Sequence, residues 1–300
     1  MKSNTGLVEE IQKLKKERNA VILAHVYQRG EVQDVADFVG DSLDLSRMAV
    51  KVSSKVIIFC GVHFMAETAA ILNPGKTILI PDKEAKCSLA DTATVQNLKE
   101  FGKQHPEALK VSYINCTAAV KANSDICCTS ANAVHVADSI PGKEILFIPD
   151  RNLGSFVAEK TKKDIYPWDG YCYVHEDISI ERIHFLKTEH PCAEIIAHPE
   201  CTKEIRCVAN FVGSTAQMSR YVAQSPIKEF IVATEDNFSH KLNKYNPGKK
   251  FYLVDTICEG MNVITLEKIR DSLKHLEYKV RVPRRIRNKA KLSLDLMLSI

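Results

Sequence analysis

Residues 110–128 read KVSYINCTAAVKANSDICC, and the fold turns on how this stretch is read. Its ends, KVSYI (110–114) and DICC (125–128), are short apolar runs of the kind that form buried strands of a parallel sheet. The layout returns further along in EIIAHPECTKEIRCVANFVG (194–213), where EIIA and NFVG take the places of the two runs. Adding EILFI (144–148), DIYPW (164–168), EFIVA (229–233) and FYLV (251–254) extends both copies. Runs starting at 110, 125, 144 and 164 are matched at 194, 210, 229 and 251, at separations of 84, 85, 85 and 87 residues. An earlier block, VILA (21–24), VIIFC (56–60) and TILIP (77–81), fits loosely, its members leading by 89, 69 and 67 residues.

Helix-period segments such as EVQDVADF, FMAETAAIL and TLEKIRDSLKHL lie between the runs, and Pro-Gly turns precede several strands. Strands alternating with helices predict parallel sheets with crossover helices. We expect an α/β protein of three similar three-layer units with mainly parallel sheets, each of about 85 residues. The expected boundaries are 1–87 with 259–300 for the first unit, 88–172 for the second and 173–258 for the third.

Hydrophobic content of 45% and charged content of 26% are those of a soluble globular chain, and a net charge of +4 implies no polyanionic partner. No apolar run is long enough to span a membrane. The opening MKSNTGLVEEIQKLKKERN lacks the apolar core of an export signal, so a cytoplasmic location is expected. Six of the eleven residues in RVPRRIRNKAK (281–291) are basic, but flanking apolar residues favour a solvated helix face packed on the first unit over a nucleic-acid contact.

Ten cysteines in such a compartment should be reduced, and none forms a C-x-x-C pair. Most read as small buried hydrophobes. Three do not: Cys87, Cys172 and Cys258 are spaced by 85 and 86 residues, the repeat length, and each follows a strand. One thiol per unit suggests a shared metal. Zinc and an iron–sulfur cluster both remain open, with iron–sulfur ranked ahead because no matching fourth cysteine appears.

Ligands of open parallel sheets bind beyond the carboxyl ends of the strands. Polar groups gather there in every block: His25 and Tyr27; His63 and Glu67; Tyr113 and Asn115; Thr129, Ser130 and Asn132; His198 and Glu200; Ser214 and Thr215. Ser130 and Ser214 also suit helix N-caps, and His63 and Glu67 suit core and surface roles. His198 with Glu200, directly after an apolar strand, is a plausible acid/base pair.

These residues resemble the quinolinate synthase family over nearly the whole chain. The resemblance is carried by ILAHVYQRGEVQDVADFVGDSLDLS, GVHFMAETAAILNP, YINCTAAVKANSDICCTSANAV, PDRNLGSFVAEKT, AHPEC, VGSTAQM and the segments around the three cysteines. It implies three α/β domains arranged as a pseudo-threefold triangle around a central active site. It also implies a [4Fe–4S] cluster held by Cys87, Cys172 and Cys258, and condensation of iminoaspartate with dihydroxyacetone phosphate to quinolinate. Substrate contacts carry over to His25, Ser42, Tyr113, Asn115, Ser130, His198, Glu200, Ser214 and Thr215. Catalytic roles carry over to Glu200, Tyr27, His25 and His198. The partners implied are the two substrates and a functionally coupled enzyme that makes iminoaspartate, with neither nucleic acid nor membrane. Another [4Fe–4S] hydro-lyase on the same scaffold and a metal-dependent nucleic-acid-binding sensor are the alternatives. Val26 and Ala216 depart from the family pattern.

Overall fold

The computed structural model describes residues 4–300. Its described strands form three four-stranded sheets. The first contains β1 (Ala20–His25), β2 (Phe38–Gly40), β3 (Val56–Cys60) and β4 (Thr77–Leu79). The second contains β5 (Leu109–Tyr113), β6 (Ile126–Cys128), β7 (Glu144–Ile148) and β8 (Asp164–Pro167). The third contains β9 (Glu194–Ala197), β10 (Phe211–Val212), β11 (Glu229–Ala233) and β12 (Lys250–Leu253). All neighbours pair in parallel, and the spatial order is second, first, third, fourth in every sheet. The chain is α/β, as the alternating pattern predicts.

The loose fit of the first block has a specific cause. Phe38–Gly40 reads as the tail of a helical segment, but the helix stops at Val35 and a third-unit-like strand follows. With β2 in place, the strand starts of the first sheet (20, 38, 56, 77) precede those of the second (109, 126, 144, 164) by 89, 88, 88 and 87 residues. Those of the second precede those of the third (194, 211, 229, 250) by 85, 85, 85 and 86. All three blocks share one ruler.

A repeated clamp explains why so short a strand pairs correctly. Asp37 Oδ2 accepts from the Ile22 amide at 2.8 Å, Asp125 Oδ2 from Lys110 at 2.7 Å and Asn210 Oδ1 from Ile195 at 2.8 Å. Each clamp residue also donates its own amide to the carbonyl of the same residue. The pair of bonds sets the register of the outer strand from one Asp or Asn just before it.

Central strands bury nearly everything they carry: all five residues of β3 and the last four of β7 and β11. Full burial of each such aliphatic side chain contributes about 1.5–3 kcal/mol, so these runs anchor each sheet. The helix Leu266–His275 packs on Asn4–Arg18. The basic run enters the helix Arg284–Ser299, which buries Ala290, Leu294 and Met297. That helix lies against β6 and the helix Ala118–Lys121 as well as the first-unit helix His63–Leu72, so it bridges two units rather than resting on the first alone. Among the described residues, no helix is long and apolar enough to cross a membrane.

Candidate active site

In the order second, first, third, fourth, the chain leaves the first strand to one side and the third to the other, and ligands collect beyond that switch point. Here the switch points of all three sheets open onto one cavity. Three equivalent positions form each tier of its wall. His25, Tyr113 and His198, at 88 and 85 residues apart, end or follow the first strands. Tyr27, Asn115 and Glu200 lie two residues on; Ser42 and Thr215 open the helices after the second strands of their sheets, and Ser130 lies in the turn before the helix Ala133–Ser139, whose N-cap is Asn132. Cys87, Cys172 and Cys258 close the remaining side. Twelve of the thirteen residues to which the family resemblance gives ligand, substrate or catalytic roles therefore line a single cavity, with Asp41, Val62, Phe64, Met65, Val174, His175 and Met261, whereas Thr129 and Asn132 do not. Among the described residues, that lining includes no lysine or arginine.

Ser214 stands behind the wall. Its hydroxyl accepts the Gln217 amide, capping the helix Thr215–Gln224, and donates to Asp41 Oδ2 at 3.2 Å. His63 is exposed and Glu67 half-buried, and neither lines the cavity.

The two strand-end imidazoles share one tautomer. His25 Nδ1 accepts the Tyr27 amide at 3.2 Å, and His198 Nδ1 accepts the Glu200 amide at 3.3 Å. A neutral imidazole that accepts at Nδ1 carries its proton on Nε2. Burial depresses both groups to about 3, against the opposing pull of Glu200, so they are neutral donors near pH 7. His198 Nε2 uses its proton on Ser130 Oγ at 3.2 Å.

His175 has the opposite arrangement and was not singled out as a site residue from the sequence. Its Nδ1 lies 2.8 Å from Glu200 Oε2 and 3.3 Å from Cys172 Sγ. Its Nε2 lies 2.8 Å from Thr234 Oγ1, which lies 2.6 Å from the Tyr27 hydroxyl. With Nδ1–H donating to the carboxylate, one directional chain runs Tyr27 to Thr234 to His175 to Glu200. Burial drives the Glu200 carboxyl upward, but His198, His175 and Tyr113 together outweigh it and hold Glu200 below the usual carboxylate range. Burial and the charge of Glu200 push Tyr27 well above an ordinary phenol. The relay therefore joins an ionised acid to a protonated phenol.

Two polar atoms in the wall are buried without a protein partner, Asn115 Oδ1 and Thr215 Oγ1. Such atoms are costly unless something completes them, so both point to a polar ligand.

The three thiols suit a shared metal centre. All ten cysteines are free, and these three are the ones in the cavity wall. Each precedes a short helix, Ser88–Thr92, Tyr173–Glu176 or Glu259–Asn262. Asp150 accepts the Cys172 amide at 3.1 Å and Glu235 the Cys258 amide at 3.3 Å, which steadies two of the three loops. Burial raises both acids, Glu235 to about 8. Gly260 lets the first loop reach the third, because a Cβ there would collide with the Lys86 carbonyl. Cys172, His175 and Glu200 also bring one ligand atom each within 4.8 Å of one another.

Comparison with known proteins agrees with this construction. The family model described as quinolinate synthetase A protein matches residues 9–299. A quinolinate synthase of Desulforudis audaxviator is 50% identical over 98% of both chains. Quinolinate synthase 2 of Methanosarcina acetivorans is 50% identical over 98% of this chain and 96% of its own. The quinolinate synthase of Clostridium kluyveri is also 50% identical, over 98% of both. Matched from end to end, and with three thiols and a relay meeting in one cavity, the chain belongs to the quinolinate synthetase A family.

Proposed function

We propose that the chain is a quinolinate synthase that condenses iminoaspartate with dihydroxyacetone phosphate, releasing phosphate and two waters, in the biosynthesis of NAD. The observation that carries this reading is the convergence of Cys87, Cys172 and Cys258 on the cavity that holds the Glu200 relay, in a member of this family. Those three cysteines would hold a [4Fe–4S] cluster, whose fourth iron, lacking a protein ligand, supplies Lewis-acid chemistry toward substrate oxygens. A mononuclear ion on Cys172, His175 and Glu200 is the weaker alternative, because His175 is already committed to Glu200 and Thr234.

Around that centre the side chains have separable tasks. His25 presents an Nε2–H donor to carboxylate or phosphate oxygens, and His198 acts with Ser130. Ser42, Tyr113 and Thr215 add hydroxyls, and Asn115 Oδ1 accepts from a substrate hydroxyl or imine N–H. Ser214 contributes indirectly, through Asp41 and the helix it caps. Glu200 is the general base: it removes the proton whose loss lets carbon attack carbon. Tyr27 is joined to Glu200 through Thr234 and His175, so a protonated phenol able to serve a leaving hydroxyl and an ionised carboxylate able to take a proton belong to one network. The tight burial of this relay excludes water from the reacting atoms.

We place the reaction in the cytoplasm, coupled in function to an enzyme that makes iminoaspartate, since a free imine hydrolyses in water. The test is direct. Cluster-loaded protein, supplied anaerobically with freshly generated iminoaspartate and dihydroxyacetone phosphate, should form quinolinate and phosphate in equal amounts. Consumption of the triose without a pyridine product would favour another hydro-lyase.

A further inference from the structure

Lys121 is fully buried, an unusual place for an ammonium with no ion pair among the described residues. It ends the four-residue helix Ala118–Lys121 and folds back, so that Nζ donates to the Cys116 carbonyl. The same ammonium lies 5.3 Å from the centroid of the Phe64 ring, within cation–π reach. Both contacts adjoin the active cavity: Cys116 follows Asn115, and Phe64 and Asn115 line the wall.

The other end of this helix is pinned as well. Glu67 Oε2 accepts the Ala118 amide at 2.8 Å, reaching across from the first unit. Glu67 thus gains a role that the cavity lining alone did not give it. Ser293 Oγ donates to the Lys121 carbonyl at 2.9 Å and completes the brace from the C-terminal helix. Directly before the first of these fixings, the Cys116 carbonyl, stands Asn115, whose Nδ2 lies 3.5 Å from Glu200 and whose Oδ1 is buried without a partner.

We infer that Lys121 and Glu67 are positioning residues that hold Asn115 and the Phe64 wall in register with Glu200. The inference rests on the reading of the cavity as the substrate site. Lys121 holds the Cys116 carbonyl and Glu67 the Ala118 amide, so the backbone directly after Asn115 is fixed at two points and cannot turn to carry Asn115 away. Misplacement of a binding group by about 1 Å costs on the order of 10²-fold in rate, so a brace far from the reacting atoms can govern turnover.

A double-mutant cycle tests this. Lys121→Met should retain the cluster's visible absorption and lower kcat/KM by about 10- to 100-fold. In an Asn115→Ala background the same substitution should cost less than about threefold, because residues acting as one unit are not additive. Glu67→Ala should follow Lys121→Met, whereas Glu67→Gln, which keeps an acceptor oxygen, should stay near the parent protein. If Lys121→Met does not fold, Lys121→Gln, a shorter donor, enters the same cycle. Multiplicative losses in the cycle, or equal losses for Glu67→Gln and Glu67→Ala, would overturn the inference while leaving the proposed function intact. A parent protein that makes no quinolinate would bring down both.

Discussion

In the first sheet the first strand ends in an imidazole and in the third it is followed by one, whereas in the second it ends in a phenol. Backbone geometry treats the three positions alike, since one strand order and one clamp recur in each unit. Chemistry does not. His25 and His198 are neutral donors with a fixed tautomer, while Tyr113 faces Glu200 and helps keep it ionised. Two residues on, the contrast is sharper: a phenol, an amide and an acid occupy equivalent seats as Tyr27, Asn115 and Glu200. The repeat decides where side chains meet, and the residue in each seat decides what it does.

The tier of thiols is where the units should be interchangeable, and removing any one should have the largest effect. Cys87→Ala, Cys172→Ala and Cys258→Ala should each lose the brown visible absorption of the anaerobically purified protein and fall to background turnover. A Cys87→Ala protein that kept both its cluster and full activity would sink the cluster assignment.

The tier of Tyr27, Asn115 and Glu200 should be unequal. Glu200→Gln should retain the cluster and lose about 10²- to 10⁴-fold in turnover, the usual worth of a general base. Placing an acid in the equivalent seat, as Asn115→Asp in the Glu200→Gln protein, should not restore it, because only Glu200 is joined to His175. Unchanged turnover in Glu200→Gln would remove that residue from the base role.

The imidazoles separate the first and third units from the second by pH. His25 and His198 are depressed to about 3 in the fold, while an unfolded histidine titrates near 6.5. Between those values the unfolded chain binds more protons, so stability falls as pH drops below about 6.5 and the penalty stops growing near 3. Thermal unfolding followed from pH 7 to 4 should show this fall, and the double variant His25→Gln, His198→Gln should show a flatter one. An identical slope would mean that other groups govern the acid response.

The clamp should give the smallest and most uniform effect. Asp37→Ala, Asp125→Ala and Asn210→Ala each remove the clamp bond at an exposed position, worth about 0.5–1.5 kcal/mol, and Asp37→Ala also loses its ion pair with Lys15. Denaturation midpoints should shift alike for Asp125→Ala and Asn210→Ala, and at least as far for Asp37→Ala, with kcat unaltered; a loss confined to one unit would break the equivalence.

Much of this is legible in the amino-acid sequence. Apolar runs located eleven strands, and the cysteine ruler found the thiol tier. β2 escaped because its three residues carry no alternation, with Phe38 exposed, and because EVQDVAD continues a helical period into it. Asp37 was the available signal, standing 88 residues before Asp125 as that residue stands 85 before Asn210. His175 left no such trace. Its counterparts by the ruler are Ala90 and Met261, so periodicity points to nothing ionisable. Its role arises only when the helix after Cys172 meets Glu200 and Thr234 from another sheet, a contact between distant segments that no local pattern encodes.

The lack of lysine and arginine in the cavity wall bears on traffic as well as on recognition. Substrates and products of the proposed reaction are multiply charged anions, yet in the proposed site hydroxyls, an amide and neutral imidazoles would receive them. Short-range donors select by the number and direction of oxygen atoms and exert little pull once a ligand has moved away. No lysine or arginine of the described wall then holds a product dianion, so its departure depends on release from the proposed cluster rather than on breaking a side-chain ion pair.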